Sequence, residues 1–300
     1  METTAATTSG TTKGKATRPF AVTKLPAAFG AEIVGLDLRR PIAPASAAAI
    51  QAAFLEHAVL LIRDQTIDRA AMKRFAETFG ELEPHAVALK QFDGEAIAGV
   101  HFISNLDANG VPVEKPVINT NYFWHSDKSY LPRPALATFL CAQEIPPSGG
   151  DTQFANMAEA YAALPAETKA RIDGLKVVHS LEYMRISTGN APPTAEEKVA
   201  APPVANPLVR VHPETGRKGL FIGMYASHIV GMDEAEGPRL IDELTAHATS
   251  ARFVYTHQWR PGDLVVWDNR CTMHRAVANF DMGRHRRILM RCVVKGGPAA

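Results

Sequence analysis

Short apolar runs cut by turn signals set the tightest limit on how this 300-residue chain can fold. Gly262-Asp263-Leu264-Val265-Val266-Trp267-Asp268-Asn269 reads as a turn, a buried strand and a second turn. Phe253, Tyr255, His257 and Trp259 alternate with Val254, Thr256 and Gln258, the period of two that belongs to a strand. Leu208–His212 and Gly219–Ile222 flank Pro213-Glu214-Thr215-Gly216, a hairpin signal. Segments that alternate and pair locally through hairpins favour antiparallel sheets over a doubly wound parallel sheet. The expected class is α+β, mainly β, with a double-stranded β-helix (jelly roll) core, flanking helices and lid loops.

Helical patterns cluster in the first half and at two insertions. Pro44–His57 places Ile50, Phe54 and Leu55 on one face, and Asp68–Thr78 turns Met72 and Phe75 inward, with Phe79 just beyond. Between them Ala58–Arg63 is a continuous apolar run, as expected of a strand buried on both faces. Later helices are expected over 158–164, 165–174 and 234–249, and strands over 135–142, 151–154, 177–179 and 287–294. Residues 81–120, punctuated by glycine and Asn109-Gly110, and residues 184–206, with Pro192-Pro193 and Pro202-Pro203, read as mobile insertions at the mouth of a site. Residues 1–18 lack any periodicity and read as a disordered tail, leaving one domain over 19–300.

The balance of 32 basic and 31 acidic residues gives no reason to expect nucleic acid or an anionic membrane as partner. No apolar run is long enough to span a bilayer. Three cysteines in a chain of this length suit a reducing cytoplasm better than a disulfide framework.

The chemistry gathers at Trp124-His125-Ser126-Asp127. In an extended segment His125 and Asp127 point to one face, which supplies two thirds of a 2-His-1-carboxylate triad, the arrangement that holds non-heme Fe(II) with open positions. His274, just beyond the Gly262–Asn269 strand, is the candidate third ligand. A lone His-x-Asp is a weak signal. His57, His101, His179, His212, His247 and His257 have nothing nearby that asks for a role, and read as surface or hydrogen-bonded core groups. Arg287 and Arg291 are four apart and share a strand face, so two guanidinium groups could meet carboxylates in a pocket. The same His/Asp/His set would also serve a zinc-dependent hydrolase, and a non-catalytic binding module would leave the pair incidental.

Further motifs sit in order around these residues. Pro146-Pro147-Ser148-Gly149-Gly150-Asp151-Thr152, Gly262-Asp263-Leu264, Trp267-Asp268-Asn269-Arg270-Cys271-x-x-His274 and Arg286-Arg287-Ile288 follow Trp124–Asp127. Together with Phe79-Gly80 and Gly216–Gly223, they resemble the Fe(II)/2-oxoglutarate dioxygenases typified by taurine dioxygenase and 2,4-dichlorophenoxyacetate dioxygenase, over residues 20–294. The resemblance implies that His125, Asp127 and His274 hold Fe(II), with 2-oxoglutarate as co-substrate and O2 as oxidant. It implies Thr152 and Arg287 on the distal carboxylate of 2-oxoglutarate and Asn121 near co-substrate and substrate. Arg287 is preferred over Arg284 and Arg286 because it alone lies four residues from Arg291. Arg291 would face a small anionic organic substrate, aryloxyalkanoate-like or sulfonate-like, and His85 stands where the taurine branch places a histidine on the sulfonate. The implied reaction is hydroxylation, with succinate and CO2 as co-products and cleavage of an ether or C–S bond where the hydroxylated carbon bears one. Family members are commonly dimers or larger homo-oligomers.

Overall fold

The computed structural model describes residues 20–84, 97–114 and 120–298. The expected tail and His85 lie outside the described residues. The chain opens with the antiparallel pair β1 (Ala21–Lys24) and β2 (Ala31–Val34). Helix α1 (Pro44–His57) starts on a proline, at the first turn, where the missing N–H has no partner to lose. Strand β3 (Val59–Ile62) is buried along its whole length. Helix α2 (Arg69–Glu77) begins where the Asp68 carboxylate accepts the Ala71 N–H, a side-chain N-cap.

The order continues through β4 (Val100–Ser104), β5 (Ala137–Glu144), β6 (Thr152–Asn156), α3 (Met157–Ala162), α4 (Ala166–Ile172), β7 (Lys176–His179), α5 (Leu181–Ser187) and α6 (Ala195–Ala200). It ends with β8 (Val204–Pro207), β9 (Val209–Val211), β10 (Lys218–Leu220), β11 (Ala226–Ile229), α7 (Glu236–Ala248), β12 (Val254–His257), β13 (Leu264–Asp268), β14 (Thr272–Ala276) and β15 (Ile288–Val294). The class is therefore a mixed one, with helices beside substantial sheet.

A seven-stranded sheet runs in the order β1-β2-β3-β13-β5-β15-β4, and only β2 and β3 pair in parallel. A three-stranded sheet, β12-β6-β14, carries a separate antiparallel set. Strands β11-β7-β8 and the β9–β10 hairpin form two smaller sheets.

The period of two in the central strands sorts side chains into two cores. Leu60 and Ile62 of β3, Phe139 and Cys141 of β5, Leu264 and Val266 of β13, and Met290 and Cys292 of β15 pack with Phe54 of α1 and Met72 and Phe75 of α2. The alternate residues Val59, Leu61, Leu140, Val265, Trp267 and Leu289 pack instead with Phe154 of β6 and Tyr255 of β12. The long sheet is thus covered by helices on one face and by the three-stranded sheet on the other. This explains why its strands read as continuous apolar runs rather than as half-buried alternation. A third core wraps α7, with Leu240 and Leu244 against Ile229, Leu208 and Leu220.

Three strands are additions to the sequence reading. β14 carries His274, and polar Thr272, His274 and Arg275 hide its strand character. β8 and β11 are the other two. Within the ligand stretch only His125 joins a β-bridge, paired with His274. Residues 184–206 hold regular structure: α5 and α6 are joined by Arg185–Glu197 contacts of 2.6 and 3.1 Å, and Thr194 and Glu197 form a capping box on α6. Within 81–120, residues 85–96 and 115–119 lie outside the described residues. Asn109-Gly110 does close a tight turn, bracketed by a Leu106–Pro112 bridge.

Candidate active site

The two histidines meet through the backbone. His125 N–H donates to the His274 carbonyl at 3.0 Å and His274 N–H returns the bond at 2.8 Å. A bridge of this kind sets the two side chains beside each other on one face. Their rings lie 4.1 Å apart, centroid to centroid. Asp127 reaches the same point, with Oδ1 3.8 Å from His125 Nε2 and Oδ2 3.8 Å from His274 Nε2. All three residues are buried. Gly223 allows the approach: at φ +123 a side-chain carbon there would lie 2.9 Å from the Trp124 carbonyl oxygen and 3.3 Å from the His125 Cα.

His125 Nδ1 lies 2.7 Å from the Phe123 carbonyl oxygen, which can only accept, so Nδ1 carries the proton and Nε2 keeps its lone pair toward Asp127. Burial holds the His125 imidazole below its ordinary pKa. Burial, then the neighbouring His125, hold His274 further below. Burial alone would raise Asp127, but the Arg291 guanidinium, 2.7 Å from Oδ1, keeps the carboxyl ionised and well below the usual range. Two neutral imidazoles and a carboxylate, converging in a buried pocket, are the donor set that suits a divalent metal. The residues present fit Fe(II).

These groups line a cavity of about 40 Å³ that also takes in Asn121, Thr152, Arg287, Arg291 and the apolar walls Ile103, Leu140, Trp267 and Leu289. All expected site residues within the described chain therefore meet at one place. Of the three arginines weighed at the co-substrate position, only Arg287 lines it. Arg286 turns outward to Glu144 and the Gly110 carbonyl, at 2.9 and 3.0 Å, and Arg284 is exposed. Arg287 Nε donates to the Gly150 carbonyl at 2.8 Å and its Nη2 points at Thr152 Oγ1 at 3.4 Å. Burial lowers its pKa to about 10, which leaves it charged at neutral pH. Trp259 Nε1 donates to the same Thr152 hydroxyl at 3.0 Å.

Several supporting residues were given no role in the sequence reading. Asn105 donates to the Met282 and His285 carbonyls and accepts the Arg287 N–H at 2.8 Å, pinning the loop that delivers Arg287. Asn279 accepts the Gly150 N–H and donates to Asp151 at 2.8 Å, which fixes the Gly149-Gly150 turn. Thr138 and Asn269 contact Asp127 itself. Asn105, Asn279 and Thr138 carry no sequence signal, and Asn269, though it stands in the Trp267–His274 motif, shows no role there, because these bonds form only once the fold brings the segments together.

A second set of candidate metal donors, His212, Asp268 and Cys271, also clusters. His212 Nδ1 accepts the Glu214 and Thr215 N–H groups at 3.2 Å, so its proton sits on Nε2 and goes to Asp268 at 3.0 Å. Arg270 adds two bonds to the same carboxylate, at 2.8 and 2.7 Å. With its lone pairs engaged, this group braces the turn between β13 and β14. His179 and His257 are likewise hydrogen-bonded in the interior and half-buried His247 bonds to the Ala160 carbonyl, as their sequence surroundings lead one to expect.

With this geometry in place, known proteins can be set beside it. The family model for "Taurine catabolism dioxygenase TauD, TfdA family" matches residues 21–293. The chain is 38% identical over 266 residues to the alpha-ketoglutarate-dependent 2,4-dichlorophenoxyacetate dioxygenase of Burkholderia sp. (strain RASC), covering 87% of this chain and 89% of the relative. It is 32% identical over 277 residues to the alpha-ketoglutarate-dependent sulfate ester dioxygenase of Pseudomonas putida, covering 89% and 87%. The crystal structure of AAD-2 in complex with Mn(II) and N-oxalylglycine superposes with a TM-score of 0.83 at 39% identity, over 94% of this chain and 98% of that one. The chain belongs to the TauD/TfdA family of dioxygenases, oxidoreductases dependent on 2-oxoglutarate. The His125–Asp127–His274 site fits their Fe(II), 2-oxoglutarate and O2.

Proposed function

We propose that this chain, as one dioxygenase domain on a jelly-roll core, uses Fe(II), 2-oxoglutarate and O2 to hydroxylate a small anionic organic substrate. The observation that carries the reading is the pairing of two features in one cavity: two neutral imidazoles with a carboxylate at one end, and Arg287 with Thr152 at the other. His125, Asp127 and His274 would hold the iron, which supplies the activation of O2 coupled to decarboxylation of 2-oxoglutarate to succinate and CO2. Arg287 and Thr152 would bind the distal carboxylate of 2-oxoglutarate, and N-oxalylglycine in the similar AAD-2 structure has the same two carboxylates as that co-substrate. Asn121 would contact co-substrate and substrate. Arg291 would bind the substrate anion; it sits 2.7 Å from Asp127, so it would place the substrate's reacting carbon close to the metal. The apolar walls Ile103, Leu140 and Leu289 keep bulk water out.

Relatives named for 2,4-dichlorophenoxyacetate and for sulfate esters support a substrate in which the reacting carbon carries an oxygen leaving group and the molecule an anionic head. Hydroxylation next to an ether oxygen gives a hemiacetal, which collapses to an alcohol or phenol and a carbonyl compound. A zinc hydrolase would give Arg287 and Thr152 no task.

The test is an anaerobic titration with Fe(II) and 2-oxoglutarate, followed by the weak visible band of the chelate, with succinate release measured in air. The wild type should show the band, His125→Ala should lose it, and Arg287→Ala should need at least about tenfold more 2-oxoglutarate, as expected for loss of a charged hydrogen-bonding partner. Tight zinc binding with no band and no succinate would turn the reading to the hydrolase.

A further inference from the structure

We propose that Thr138, held by Asn269, is the positioning residue that fixes the rotation of the Asp127 carboxylate between the two imidazoles that share the metal site with it. The proposal rests on reading His125, Asp127 and His274 as metal ligands. Asn269 Oδ1 accepts the Asp127 backbone N–H at 3.1 Å and the Trp267 indole N–H at 3.2 Å. Neither of those groups can accept, so the amide orientation of Asn269 is fixed by chemistry: its oxygen faces them and its nitrogen faces away. That nitrogen donates to Thr138 Oγ1 at 2.9 Å. Since the hydroxyl oxygen receives this bond, its own hydrogen is directed to Asp127 Oδ2, 2.5 Å away, and the ionised carboxylate can only accept. The bonds close a ring that starts at the Asp127 backbone and returns to its side chain.

All three members are buried, with Thr138 wholly inaccessible. Oδ2 takes the Thr138 hydroxyl and lies 3.8 Å from His274 Nε2, while Oδ1 takes Arg291 at 2.7 Å and lies 3.8 Å from His125 Nε2, so the hydroxyl and the guanidinium together hold the carboxylate plane across the two imidazoles. A carboxylate without the hydroxyl would be free to rotate about its last bond and to swing wholly onto Arg291. Thr138 can act this way because β5 alternates: Phe139 faces the helices, while Thr138 and Leu140 face the site. Ligands of this kind commonly depend on an outer hydrogen-bond partner for affinity.

The test compares Thr138→Val, which keeps the shape, with Thr138→Ser, which keeps the hydroxyl, by Mn(II) titration with the free ion followed by electron paramagnetic resonance. Thr138→Val should bind Mn(II) about 10- to 100-fold more weakly than wild type and Thr138→Ser within about threefold. If the valine variant does not fold, Thr138→Ala serves in its place and should lose affinity likewise. Hydroxyl-free variants that bind Mn(II) like wild type would overturn the proposal, as would a serine variant as weak as valine. Wild type that fails to bind Mn(II), or binds it unchanged after His125→Ala, would bring down the ligand assignment and this proposal together.

Discussion

His179 shows what burial does to one residue. Its ring is wholly enclosed, with Nδ1 2.9 Å from Ser129 Oγ and Nε2 3.2 Å from the Phe221 carbonyl oxygen. A neutral ring satisfies both contacts, donating through Nε2 and accepting at Nδ1, and burial pushes its pKa down to about 4. The folded state therefore resists a proton that the unfolded chain takes up below about 6.5, so stability is full above that pH and falls as pH drops from 6.5 toward 4. At ~1.4 kcal/mol per unit the residue costs on the order of 3 kcal/mol across that window. Urea unfolding at several pH values should show the slope, reduced in His179→Gln. Single residues also mark what could be read early. His125, Asp127 and His274 stand out through their spacing and the motifs around them, and Arg287 through its distance from Arg291. Thr138 does not, and Asn269, though it stands in the Trp267–His274 motif, shows no role there; their bonds to Asp127 span 11 and 142 residues.

Elements add constraints that no single side chain carries. The Gly149-Gly150 turn delivers the Gly150 carbonyl to Arg287, and Asn279 wraps it from outside. Gly149 has φ +74, and a side-chain carbon there would lie 2.1 Å from the Asn279 carbonyl oxygen. Gly149→Ala should therefore destabilise the chain by about 2 kcal/mol or more through strain and clash. It should also weaken 2-oxoglutarate binding while leaving Mn(II) affinity near wild type, which urea unfolding and the chelate titration together would check. Five of the helices and most strands were legible, since period and capping act locally: α1 keeps its proline start and α2 its Asp68 cap, whereas α5 and α6 fell in a stretch read as a mobile insertion. Strand β14 was not, because its stability comes from pairing with β6, with no apolar pattern of its own.

At the scale of the whole molecule, the long sheet separates stability from chemistry. Phe139 joins Phe75 and Phe79 in edge-to-face contacts at 5.5 and 5.1 Å on the helix side. Its neighbours Thr138 and Leu140 face the site. Phe139→Ala should cost about 3–5 kcal/mol, the range for a deleted core aromatic. A thermal melt would read that loss, and Mn(II) affinity of the folded variant should hold close to wild type. What the sequence determined by itself was local and periodic: the buried strands, the helix starts, the tight turns, and the order of motifs that marks the family. What the tertiary structure decided was which distant groups share a hydrogen bond or a cavity. It turned Arg287 rather than Arg284 or Arg286 into the pocket, set Arg291 on Asp127, and closed the Asn269–Thr138 ring. The physical reason is range. Periodicity and capping act over a few residues, whereas a hydrogen bond across 100 or more residues exists only after the sheets have packed and fixed the register between strands.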